Sequence, residues 1–366
     1  MEPAQINSRQ LFVLMLLFQL GSSLILPSGI SAAQDAWLAI LGGTVAGTVL
    51  FLIYYKLHSY YPDIPATEYG QRIFGTFLGK ILGFLYVIYF CYLSARILRD
   101  FGEMLVTISY TTTPLFVINL LWMILIVYTV RKGIESLSRV AELLVVLVFL
   151  LAATSFILVV FNGDIDMNNL RPVLEKGVAK FLRSILETTF LPFGELVVFA
   201  MIFPYLNNIK KGKIAGILAV VVAGLILSVT MFINISVLGP QLVSRSQFPL
   251  LSTIETIDIA EFLERLDVFF IIGVIIGGFI KISVFFYVAI MGTANLFKIK
   301  DSAALVYPVG FIVLLLSISI ASSISEHLHE GFRVVPMYLH LPFQIILPFL
   351  LLVVAYIRNR KNPIRK

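Results

Sequence analysis

Three ionisable residues stand where the chain is otherwise almost wholly apolar. Glu195 closes the stretch Thr188-Thr189-Phe190-Leu191-Pro192-Phe193-Gly194, and Lys281 sits inside Gly278-Phe279-Ile280-Lys281-Ile282-Ser283. Arg96 shares its run with Arg99, Asp100 and Glu103. A charge in hydrocarbon needs a partner or a water-filled cavity, so each is a functional candidate by default. Two roles are open to Lys281 and Glu195. They either neutralise one another and only fix helix packing, or Lys281 lends a fixed positive charge to a binding site. Arg96 with Asp100, and Arg99 with Glu103, are spaced i,i+4 and share one helix face. The expectation there is a self-neutralising strip, with direct ligand contact by Arg96 as the alternative.

The second signal is a pair of helix breakers at mid-run. One run reads Gln19-Leu20-Gly21-Ser22-Ser23-Leu24-Ile25-Leu26-Pro27-Ser28-Gly29, and the other carries Pro192 and Gly194 just before Glu195. Proline removes a helix hydrogen bond and clashes with the preceding turn, and glycine lowers helix propensity. Unwinding frees N–H groups at one half-helix end, which suit a carboxylate, and C=O groups at the other, which suit an ammonium. That chemistry fits a zwitterionic amino acid. Gly21, Ser22, Ser23, Gly194 and Glu195 are therefore candidate ligand contacts, and Tyr92, Phe193 and Phe285 candidate cavity walls. Glycine and proline are common in membrane helices for packing reasons alone. That plainer explanation suits either break singly, and suits two at matching positions less well.

Other chemistries find little support. There is no HExxH, P-loop, GxSxG or GxGxxG motif, so neither catalysis nor a cofactor is expected. His327 and His329, flanked by Glu326 and Glu330, read as a solvated loop in preference to a metal site. The single cysteine, Cys91, lies in an apolar run and offers no disulfide framework. The net charge of +6 arises from basic residues in short connections, so no nucleic acid partner is needed.

Positioning these residues falls to membrane helices. Of 366 residues 59% are hydrophobic and 13% charged, against about 25% charged in a soluble domain. Apolar runs long enough to cross a bilayer cover 10–31, 35–57, 78–108, 114–130 and 138–161. A second set covers 183–206, 213–237, 267–293, 302–324 and 338–357. The fold class expected is all-α, with ten spans numbered 1 to 10. With the N-terminus inside, 17 of the 27 lysines and arginines fall in inner connections and the tail, and 7 in outer ones. That bias sets both termini on the cytoplasmic side. Arg9 offset by Glu2, and Gly21-Ser22-Ser23 interrupting the apolar run, argue against a cleaved signal peptide. Residues 58–77 read as an interfacial helix, and 238–266 as one or two short helices over the outer face.

Residues 1–161 and 183–366 each hold five spans, joined by an outer loop at 162–182. Five is odd, so the second half runs inverted relative to the first, and the two broken helices fall at its matching positions, 1 and 6. Such interrupted pairs mark transporter binding sites.

The chain resembles the B subunits of bacterial spore germinant receptors, the endospore germination permease family of the amino acid–polyamine–organocation superfamily. The resemblance spans essentially the whole chain. It rests on Asn168-Asn169-Leu170-Arg171-Pro172-Val173-Leu174 followed by Gly177, on Leu26-Pro27, and on Phe190 to Glu195. It implies a LeuT-like inverted repeat, residence in the inner spore membrane, and two protein partners, an A subunit and a lipoprotein C subunit. Superfamily members often carry Gly-x-Gly before the first break, where this chain has Gly21-Ser22-Ser23. The expected function is nutrient sensing, with an amino acid bound between spans 1, 3, 6 and 8. The alternative is a proton- or sodium-coupled amino-acid transporter working by alternating access.

Overall fold

The computed structural model describes residues 5–257 and 267–361. Nearly all of it is helix, as a chain in hydrocarbon must be to satisfy its own backbone. Span 1 is Ser8–Ser23, followed after a turn by a short tight helix, Ile30–Asp35. Span 2 is Ala36–Tyr60, span 3 Thr76–Ile108, span 4 Leu115–Arg131 and span 5 Gly133–Asn162. Span 6 covers Val178–Met201, span 7 Ile209–Arg245, span 8 Asp267–Phe297, span 9 Ser302–Ser319 and span 10 Pro336–Asn359. Eight helices of the described residues are long and apolar enough to cross a membrane. Spans 1 and 4 are shorter, and bring the described bundle to ten.

The main departures from the sequence reading fall in four spans. Span 1 stops at Ser23 instead of 31, because Leu24–Gly29 leave the helix. Span 6 changes winding twice. Span 7 runs on past 237 to Arg245, re-aimed at Gly239, whose φ of 75° only glycine adopts readily. Span 10 starts early, since residues 324–361 form one helical run that includes Ile324–His329 and a wide π turn at Glu330–Val334.

The interfacial helix expected within 58–77 is Ala66–Phe74. The short helix over the opposite face is Pro249–Ile254. Residues 258–266, and with them Arg265, lie outside the described residues, as do tail residues Arg365 and Lys366.

Burial sorts the spans. From Gln10 to Ser23 nearly every residue of span 1 is buried, and span 8 is buried from Ile276 to Met291 with no break. Span 5 instead exposes Leu143, Val146, Leu150 and Phe161, an apolar face suited to lipid. Spans 1, 3, 6 and 8 are thus the interior of the bundle, and the ionisable residues ride on them.

Candidate functional site

Both breaks lie where the sequence puts Pro and Gly. The turn after span 1 reverses at Gly29, with φ of 75°. Span 6 leaves helical geometry at Leu191 (φ −129°, ψ 114°), just before Pro192. Beyond it, Gly194–Met201 is wound as a tighter 3-10 helix. Span 6 is tied to the first break and to span 2: the Ser184 hydroxyl donates to the Gly29 carbonyl at 2.5 Å, and the Thr188 hydroxyl donates to Ala39 O of span 2 at 3.1 Å. Gly43 and Gly47 of span 2 let the broken segment approach, since a Cβ on either would strike Thr188 or Phe193.

At the breaks sits one ammonium. Lys281 Nζ donates to Ser22 Oγ at 2.6 Å and to Glu195 Oε2 at 2.5 Å, and lies 5.1 Å from the centre of the Phe18 ring. Its side chain is 0% exposed and that of Glu195 1%, so three spans converge on a single charge pair shielded from solvent. Glu195 Oε1 is left without a hydrogen-bond partner.

That carboxylate borders a cavity of about 310 Å³. Its walls are Ser22, Pro27 and Ser28 from the first break, Leu93, Arg96 and Asp100 from span 3, and Phe190 and Leu191 from the second break. The remaining wall comes from the run into span 10: Leu328, Gly331, Phe332, Pro336 and His340. Arg183, Glu187 and Arg333 also border it, and Glu187 accepts from Arg183 at 3.1 Å and Ser31 at 2.9 Å. The Ser28 hydroxyl, like Glu195 Oε1, is buried and unpaired. Glu195 and Ser28 thus border a cavity that also has a guanidinium in its wall. This arrangement can hold a small molecule bearing both charges.

Of the candidate residues, the structure brings Ser22, Glu195 and Arg96 to the cavity. Lys281 reaches it only through Glu195 and Ser22. Gly21 faces away, where a Cβ would sit 2.7 Å from Gly277 O of span 8. Ser23 borders a separate small cavity, Phe285 packs on Phe18 with centroids 5.0 Å apart, and Phe193 is packed on Gly47. Gly194 lies against Gln344 and its carbonyl accepts from Tyr54 Oη at 3.2 Å. Tyr92 accepts from Arg96 at 3.4 Å. Gly21→Leu should accordingly fail by forcing spans 1 and 8 apart, lowering the folded protein in the membrane by about tenfold. The check is detergent-resistant monomer by size exclusion; normal abundance with lost ligand response would put Gly21 back at the site.

Two readings of charged residues need correction. Arg99 does pair with Glu103, at 3.0 Å. Arg96 does not pair with Asp100: Asp100 accepts from His327 Nε2 at 2.6 Å, and Arg96 donates to the His327 carbonyl. His327 is therefore not in a solvated loop but 1% exposed, on a helix docked to span 3. Glu326 accepts from the Ser322 amide at 2.7 Å, and Ser322 holds its carboxyl below the usual range.

Span 10 was missed altogether as a wall. His340, Gln344 and Tyr89 form a buried triangle with sides of 2.9, 2.9 and 3.0 Å, and Tyr54 donates to Gln344 O at 2.6 Å. Pro336 and Pro342, within a single apolar run, were the available signal.

Comparison with known proteins gives both family and fold. Residues 5–325 match the family described as "Spore germination protein". The chain is 49% identical to spore germination protein KB of Bacillus subtilis (strain 168), over 99% of this chain and 97% of that one. It is 27% identical to spore germination protein YndE of the same organism, over 90% and 89%. Among solved structures it is similar to MHP1, a nucleobase-cation-symport-1 family transporter in a closed conformation with bromovinylhydantoin bound. That match has a TM-score of 0.68 at 12% identity, covering 97% of this chain and 90% of that one. It is also similar to MhsT in complex with L-phenylalanine, with a TM-score of 0.65 at 15% identity, covering 96% and 99%. The fold is thus the LeuT-like five-plus-five inverted repeat of transporters, with helices 1 and 6 broken.

Proposed function

This chain belongs to the spore germination protein family, and from that premise we propose that it is the nutrient-sensing B subunit of a spore germinant receptor. The ligand is an amino acid held in the cavity between the two breaks, its ammonium on Glu195 Oε1 and Ser28, its carboxylate on Arg96. The observation carrying this reading is that Glu195, one of whose oxygens is unpaired, and Arg96 border the same cavity. L-phenylalanine in the MhsT complex supports the ligand class. Binding draws the span 10 run toward the breaks and shifts the population of a state sensed by neighbouring subunits.

The partners we assign are an A subunit and a lipoprotein C subunit, and the location is the inner spore membrane. Deleting the chain in its host should abolish germination with one nutrient set and leave other triggers intact. Loss of vegetative growth with germination unchanged would overturn this.

The second reading is an amino-acid transporter coupled to protons or sodium, favoured by the transporter fold. Lys281 weighs against sodium, because its ammonium already lies between spans 1 and 8, on Ser22. We assign the two repeats to 1–161 and 183–366, joined by 162–182, a stretch that already includes the first residues of span 6 from Val178.

We orient both termini to the cytoplasm. Support comes from Lys56, Arg131, Lys132 and Lys213, basic residues at the bundle end that carries the N-terminus, since an excess of positive charge marks the cytoplasmic side. A cytoplasm-dependent reporter fused after Lys213 or Lys366 should be active, and one fused near Gly163 or Glu330 silent. An active Gly163 fusion would break the topology.

A further inference from the structure

The helical run into and through span 10 touches the cavity at one end and a second, unrelated structure at the other. Near its start, Gly331, Phe332 and His340 wall the cavity. Near its end, Arg358 donates to Arg72 O at 2.9 Å and Ile73 O at 3.0 Å. Those are last-turn carbonyls of the interfacial helix Ala66–Phe74, which have no partner within their own helix. A guanidinium there satisfies them and complements the negative end of the helix dipole. Beside it, Leu57, Tyr69, Ile73, Leu351 and Ala355 form a separate apolar cluster that seats the helix on span 10.

Span 3 also joins these two regions, but as a regular α-helix, Thr76–Ile108. The span 10 run is different: Glu330–Val334 and Pro336–Ile346 are π-wound, with prolines at 336 and 342. Wide turns of this kind occur at functional sites in helices, and here they begin at the cavity and continue toward the clamp. At mid-run, Gln344 is bonded to Tyr89 and its carbonyl takes Tyr54, which also bonds Gly194 in the span 6 break. Movement of the broken span 6 thus reaches span 10 directly, Gly194 lying against Gln344.

We propose that span 10 transmits the state of the cavity to the interfacial helix Ala66–Phe74, with Arg358 as the positioning residue at its output. The inference rests on the cavity being the ligand site. It gives that site a route to the opposite membrane face, where a neighbouring subunit can read the position of Ala66–Phe74.

The test uses the full chain in lipid nanodiscs and amide hydrogen exchange, with no ligand added, so a wrong ligand class leaves its result unchanged. Gly331→Val perturbs the cavity end, because a Cβ at Gly331 collides with the Arg96 guanidinium. It should raise exchange in 66–74 by about tenfold, the scale of one charge-assisted hydrogen bond lost. Arg358→Gln should raise it similarly by itself, and Gly331→Val should then add nothing. Arg358→Lys should restore most of the protection. Should Gly331→Val not fold, Phe332→Ala applies the same perturbation more gently. Unchanged exchange in 66–74 when the cavity end is altered, or two effects that simply add, would overturn the proposal.

Discussion

Lys281→Met is expected to cut the amount of protein in the membrane by about tenfold or more, because it strands Glu195 as a buried carboxylate. Removing one partner of a buried pair costs about 3–5 kcal/mol, whereas replacing both is often near neutral. With side chains 0% and 1% exposed and 2.5 Å apart, neither group has solvent to turn to. The double variant Lys281→Met, Glu195→Gln should therefore return abundance to near normal. Ligand response should stay lost, since the carboxylate oxygen at the cavity has become part of an amide. Immunoblots of membranes, read beside a germination assay, separate the outcomes. Recovery of both abundance and response would reduce the pair to a packing device.

The second large effect concerns the other end of the ligand. Replacing the effective amino acid by its amide, which removes the carboxylate charge, should raise the concentration needed for response by about 100-fold. A hydrogen bond to a charged group contributes about 1.5–3 kcal/mol, and Arg96 offers such bonds at the cavity wall. Arg96→Gln should need about as much amino acid as amide. Arg96 also holds the His327 carbonyl, so the single variant loosens the span 10 run as well. The comparison of two ligands on one variant cancels that contribution. If Arg96→Gln still favours the acid over the amide by a large factor, the carboxylate is bound elsewhere.

How much of this was readable in the sequence depends on the kind of signal. The breaks in spans 1 and 6 were, because proline and glycine act locally through missing hydrogen bonds and backbone freedom. Lys281 and Glu195 were readable as a pair, because the cost of a charge in hydrocarbon does not depend on which way a helix is turned. Rotational phase was not readable. In a helix that is apolar on every side, nothing in the pattern says that Gly21 meets Gly277 or that Phe285 meets Phe18. Local spacing also misled where a distant partner wins: Arg96 and Asp100 satisfy the i,i+4 rule, yet Asp100 is taken by His327, 227 residues along the chain. The span 10 wall fell to the same limit, since its polar triangle joins residues of spans 3 and 10 that no local rule connects.

Equilibrium binding and uptake of labelled amino acids by the purified chain in proteoliposomes test the central claim most directly. The account predicts saturable binding at one site per chain, lost in Glu195→Gln with Lys281→Met, and no accumulation inside the vesicles under an imposed proton or sodium gradient. Concentrative uptake by this chain alone would contradict it and make the protein a transporter.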